Sequence, residues 1–130
     1  MREILFRGQV CCGNGRWAYG SLLQTNTTSY IVDKTTAPNK IDNGYEEVVR
    51  VCQFTGLNDK SRTKIFERDI VRYYDDSEDE LVNGVVIYNT DFCSFCVHRD
   101  GYEDVALMGC WEYEVISNIY DNPKLLEDKQ

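Results

Sequence analysis

The sequence predicts a mainly β protein. Three observations carry that expectation: short runs of alternating apolar and polar residues, turn signals between those runs, and an aromatic content of 12% beside only two prolines. Alternation with period two marks a half-buried strand, and Tyr, Phe and Trp suit a pleated surface. Short strands separated by turns argue for a small barrel or sandwich.

The elements follow in order. Ile4, Phe6 and Val10 alternate in a first strand, and Trp17, Tyr19 and Leu22 lead its return. Between them lies Cys12-Gly13-Asn14-Gly15-Arg16, and Asn-Gly is the strongest short hairpin signal because both positions tolerate positive φ. Ser29 to Val32 is another short strand. The polar stretch from Asp33 to Tyr45 reads as a long loop. Glu46 to Phe54 is a strand, Gly56 to Arg62 a turn, and Lys64 to Glu67 a short strand. Ile70 to Tyr74 and Val82 to Tyr88 flank an acidic loop, Asp75 to Glu80. Phe92 to His98, Val105 to Cys110 and Trp111 to Tyr120 complete the strands. Asn122-Pro123 reads as the start of a short C-terminal helical turn anchored by Leu125 and Leu126, since Asn caps and Pro suits the first helical position. The expected organisation is an N-terminal β-hairpin module over 1–53 and a small barrel over 54–130, free to pack as one unit.

Bulk properties narrow the function. The formal charge is −8 and the pI about 4.6. Binding phosphate backbones needs clustered Lys and Arg, and here they are scattered, so the charge argues against nucleic acid as a partner. No apolar run approaches the ~20 residues that span a bilayer, and Met1-Arg-Glu-Ile-Leu-Phe-Arg-Gly8 has too short an apolar core for a signal peptide. A cytoplasmic protein is expected, with its six cysteines mostly reduced.

The stretch Phe66-Glu-Arg-Asp-Ile-Val-Arg-Tyr73 resembles the first strand of SH3-like barrels. Asp69 is expected to tie down backbone N–H groups where that strand begins. At whole-chain scale the sequence resembles the YopX-like family of phage and prophage proteins. The resemblance rests on Met1 to Gly8, Asn14 to Gly20, Gln53 to Lys60 with Ile65 to Val71, and Glu114 to Leu126, four blocks in the family's order. It implies a mainly β chain with an SH3-like barrel in the C-terminal half, and it implies no activity. Arg68 stands where the family usually has Gly, Ser61-Arg62 where a Gly-bearing turn is usual, and Ser117 where Gly is common.

Several candidate sites compete with plainer readings. Cys93-Ser-Phe-Cys96 has metal and redox spacing, but a strand would point the two thiols to opposite faces, and no second ligand pair is recognisable. Cys96 and His98 share a strand face, yet no partner to orient the imidazole is identifiable, so no enzyme is expected. No cofactor is expected either. The acidic run Asp75, Asp76, Glu78, Asp79 and Glu80 lacks calcium-loop spacing; it could face a basic partner, or mimic nucleic acid as an inhibitor of a DNA-binding protein. Trp17 and Trp111 are expected inside, whereas Tyr73, Tyr74 and Tyr113 could line a groove that recognises a partner. The expectation is a non-enzymatic interaction module for an unidentified protein partner, binding through the barrel face. An acidic inhibitor and a metal- or redox-linked cysteine protein are the alternatives. Exposed strand edges also make a homo-oligomer plausible.

Overall fold

A computed structural model of the chain describes residues 3–32, 45–107 and 113–127. It is mainly β, with ten strands and one helical turn among the described residues, and it divides into two compact units, Met1–Phe54 and Thr55–Gln130. The stretch 33–44, Cys110 and Trp111 lie outside the described residues.

In the first unit, β1 (Phe6–Val10), β2 (Trp17–Gln24), β3 (Ser29–Val32) and β4 (Tyr45–Asn58) pair antiparallel in sequence order. β1 also pairs with β4, which closes the four strands into a ring. The β1–β2 turn bears out the Asn-Gly reading: Asn14 has φ 56° and Gly15 φ 86°. Arg50, at φ 55°, is the extra residue of a β-bulge where β4 slips register against Gly8. Gly8 is required there, since a Cβ would stand 2.5 Å from Val48 Cγ2. Ile31, Val48 and Cys52 are buried. Trp17 is only half-buried, with the Arg7 guanidinium 4.8 Å above its ring.

β4 runs further than its apolar alternation suggests. Gly56, at φ 93°, bends the backbone without ending it, and the Thr55 hydroxyl donates to the Ile65 carbonyl at 2.8 Å. Residues 55–58 are thus strand rather than turn, and β4 pairs with β5 (Lys64–Phe66).

In the second unit, β6 (Asp69–Asp75), β7 (Glu80–Asn89), β8 (Ser94–His98) and β9 (Val105–Ala106) form an antiparallel meander, and β10 (Glu114–Asn118) returns beside β6. That order is compatible with an SH3-like barrel. The inward residues Ile65, Val71, Val86, Val97, Leu107 and Tyr113 make one core. Gly84 sits opposite Val71, where an added Cβ would press on Val97 Cγ1 at 2.5 Å.

Two buried aspartates organise the chain around this core. Asp69 accepts from the Phe66 N–H at 2.7 Å, the structural role expected of it. Arg68, between them, has φ 72°, and Arg62 has φ 71°. The resemblance implies Gly at the first position and a Gly-bearing turn at the second, and arginine adopts the left-handed backbone at both at some cost. Asp59 does more than its neighbour. It is 2% exposed; its Oδ1 accepts from the Ser61 and Thr63 N–H groups, both at 2.8 Å, and its Oδ2 from Val115 N–H at 2.9 Å.

Some boundaries differ from the sequence reading. β8 starts at Ser94, because Cys93 takes φ 54° in the preceding turn. β9 is two residues long. β10 spans Glu114 to Asn118, and Ile119 and Tyr120 are already in a turn. The helical turn α1 (Lys124–Glu127) forms where expected, but Asn122 does not cap it with its side chain, which donates to Ser117 Oγ at 2.6 Å. Nor do both leucines anchor it: Leu125 is half-buried and its carbonyl accepts from Asn83 Nδ2 at 3.0 Å, while Leu126 is exposed.

Candidate functional site

β6 carries the half-buried Tyr73 against the edge of the core, and β10 lies antiparallel beside it, so Tyr113 arrives next to Tyr73. Their rings meet edge to face at 5.3 Å and 63°. The Asp59 loop fixes this placement, because Lys60 N–H donates to the Tyr113 carbonyl at 3.0 Å while Asp59 holds Val115. Above these rings the second unit opens a groove of about 480 Å³. Val97, Val105 and Ala106 supply its apolar lining; Tyr74 and Tyr102 add aromatic walls. Burial raises the Tyr73 phenol above its ordinary range, and the nearby Arg99 cation draws it partly back.

The acidic loop forms one end of the groove and is tightly structured. Asp75 Oδ1 accepts from the Ser77 hydroxyl at 2.7 Å and from its N–H at 2.9 Å. Asp75 Oδ2 accepts from Arg99 at 2.8 Å, an ion pair whose side chains are only 16% and 13% exposed. The Ser77 hydroxyl, followed by backbone N–H groups and Arg99, holds the Asp75 carboxyl below its usual range despite burial. The Arg99 guanidinium stacks on Tyr102 at 3.8 Å from the ring centre. Tyr102 in turn donates its hydroxyl to Glu78 at 3.0 Å, and the Tyr74 hydroxyl donates to Asp79.

Of the residues singled out from sequence, Tyr73, Tyr74, Tyr113, Asp75 and Asp76 come together along the groove. Glu78 and Asp79 sit behind it as acceptors for its tyrosines, and Glu80 pairs with Asp75 at the start of β7. Tyr113 is at once core and wall, at 8% exposed. Arg99, Tyr102 and Glu103 were not legible as site residues. A charged Gly-bearing turn, Arg99-Asp-Gly101, was the visible signal, but nothing in sequence spacing ties Arg99 to Asp75.

A second cluster overturns the expectation that His98 has no orienting partner. Its Nδ1 lies 2.8 Å from Asp104 and its Nε2 3.2 Å from Asp100, while Asn89 donates to the other Asp104 oxygen at 2.8 Å. The Asp104 carboxylate pushes the His98 imidazole above its ordinary value, against burial and with help from Asp100. In exchange His98, then Asn89, holds Asp104 low. Cys96 is fully buried, its thiol directed to the Ser94 carbonyl at 3.8 Å, while Cys93 is exposed in the turn. Among the described residues no three His, Cys, Asp or Glu side chains are grouped to hold a metal ion. Nor is any helix among them long and apolar enough to cross a membrane.

Fold and site together define a mainly β, two-unit protein whose second unit carries a tyrosine-lined groove edged by carboxylates. The YopX protein family matches residues 5–127, and the chain belongs to that family. No curated protein matches the chain.

Proposed function

We propose that the chain is a non-enzymatic interaction module, phage- or prophage-encoded and acting in the host cytoplasm, that docks a protein partner in the groove of its second unit. The observation that carries this reading is the convergence of Tyr73, Tyr74 and Tyr113 with Asp75 and Asp76 on one open concavity. Tyrosines give large, rigid contact area at low entropic cost, and carboxylates at the edge set orientation.

The acidic-inhibitor reading has the exposure of Asp76, Glu78, Asp79 and Glu80 in its favour. It ranks second because Asp75, Glu78 and Asp79 already accept hydrogen bonds from Arg99 and two tyrosines. A mimic of phosphate spacing needs its charges presented outward.

The test is affinity purification of tagged protein from a phage-carrying host, with nuclease treatment, beside a Tyr74→Ser/Tyr102→Ser variant. A stoichiometric protein that survives nuclease and is lost with the tyrosines supports the groove. Loss on neutralising Asp76, Glu78 and Glu80, with the tyrosine variant unaffected, transfers support to the acidic inhibitor. Recovery of the protein alone, as self-associated copies, defeats both readings.

A further inference from the structure

Resting on the groove as the docking site, we infer that its occupant is a basic peptide segment that inserts an arginine or lysine side chain between the tyrosines and the edge carboxylates. Four observations converge on this chemistry.

Charge comes first. Asp75, Asp76, Glu103 and Arg99 are the charged groups lining the groove. Asp75 and Arg99 neutralise each other at 2.8 Å, which leaves the exposed Asp76 and Glu103 as excess negative charge on the concavity. The whole chain, at −8, adds a field that draws cations in and repels anions.

The walls come second. Tyrosine faces attract a guanidinium or ammonium within about 6 Å of the ring centre. The groove already holds one such group: the chain's own Arg99 sits 3.8 Å over Tyr102 while bonded to a carboxylate. A partner's arginine over Tyr74, reaching Asp76, would repeat that arrangement with an adjacent ring and an adjacent acid.

Third, the apolar floor of Val97, Val105 and Ala106 suits the methylene stem of a long cationic side chain, which buries its carbons and keeps its charge at the edge. Fourth, the competing occupants fit badly. An acidic segment or a nucleic acid would meet Asp76 and Glu103 without compensation, and a wholly apolar segment would desolvate both carboxylates with nothing to pair them.

The experiment screens the full chain against a library of random synthetic peptides, then measures the selected peptides by fluorescence anisotropy and maps them by amide chemical shifts. The expected result is enrichment of Arg and Lys flanked by apolar residues, with shifts at Val97, Arg99 and Ala106. Asp76→Asn/Glu103→Gln is expected to weaken binding about fivefold, the upper range for an exposed ion pair, and raising salt to weaken it further. Both substituted side chains are exposed, so the fold survives them. Selection of apolar or acidic peptides, or affinity indifferent to the double neutralisation, overturns the cationic occupant and leaves the groove as a docking site. If no peptide moves the groove amides, the docking reading falls with it.

Discussion

Replacing Asp59 tests how the second unit is held together. Its carboxylate accepts three backbone N–H groups, two from its own loop and one from β10. Hydrogen bonds to a charged group contribute about 1.5–3 kcal/mol each, less when water can replace the partner. Ser61 and Thr63 are exposed, so their amides rehydrate and their loss costs about 1 kcal/mol apiece. Val115 is half-buried within a strand, and stranding its N–H costs about 2 kcal/mol. Asp59→Ala is therefore expected to destabilise the unit by about 4 kcal/mol, a large share of a typical domain's stability. Asp59→Asn keeps an oxygen for the loop but turns an NH2 toward Val115, and is expected to cost about 2 kcal/mol. Amide hydrogen exchange at Val71 and Val86 in the core strands reads this directly, as roughly a thousandfold acceleration for Ala and some thirtyfold for Asn. An Asp59→Ala variant within about 1 kcal/mol of the parent refutes the assignment. Equal costs for Asn and Ala refute the counting of bonds.

Two further outcomes are expected. The chain's single histidine makes His98 directly observable by NMR. It should titrate above its ordinary 6.5 and fall toward that value in Asp104→Asn, with a smaller fall in Asp100→Asn. Because the folded value is raised, the His98 contribution to stability is complete below 6.5 and fades as pH rises through the folded value; Asp104, held below 3.8, contributes above that and loses its share as pH falls through its own depressed value. The pair is thus strongest between those limits, and a His98 titration at or below 6.5 in the parent would contradict the geometry. Arg68→Gly should stabilise the second unit by about 0.5 kcal/mol in urea unfolding, the relief of left-handed strain exceeding the added freedom of the unfolded chain. Arg68→Val should destabilise it, and equal midpoints for the two would show the turn to be unstrained.

The sequence exposed what local chemistry controls. Asn14-Gly15 declared its turn because few residue pairs accept two positive φ angles, and the apolar runs around Val71 and Val86 declared strands, though not which face is inward, since Ile70 and Val85 are buried beside them. Arg68 was legible as a misfit in a glycine position, and its φ of 72° is the physical content of that misfit. The groove was half legible: three tyrosines and an acidic run were nameable as recognition chemistry, and the structure brings most of them together. What escaped were pairings between residues distant in sequence. Asp59 looked like one more turn residue, because nothing near it announces Val115. Arg99 with Asp75 and His98 with Asp104 escaped likewise, since a side chain's partner across a sheet depends on register, which the pattern of alternation leaves open. Strand ends at Ser94 and Asn58 escaped because a single left-handed cysteine and a bending glycine decided them.

The placement of Tyr113 has a consequence for synthesis. The groove's first wall, Tyr73, leaves the ribosome forty residues ahead of its last, and the strands between them form neighbouring hairpins as they emerge. Until β10 arrives, the edge of β6 that it pairs stays open, although β7 already covers the other edge, and the wall of Tyr73 and Tyr113 is incomplete. On the proposed docking role, recognition would wait for β10 and be timed by translation rather than by any moving part.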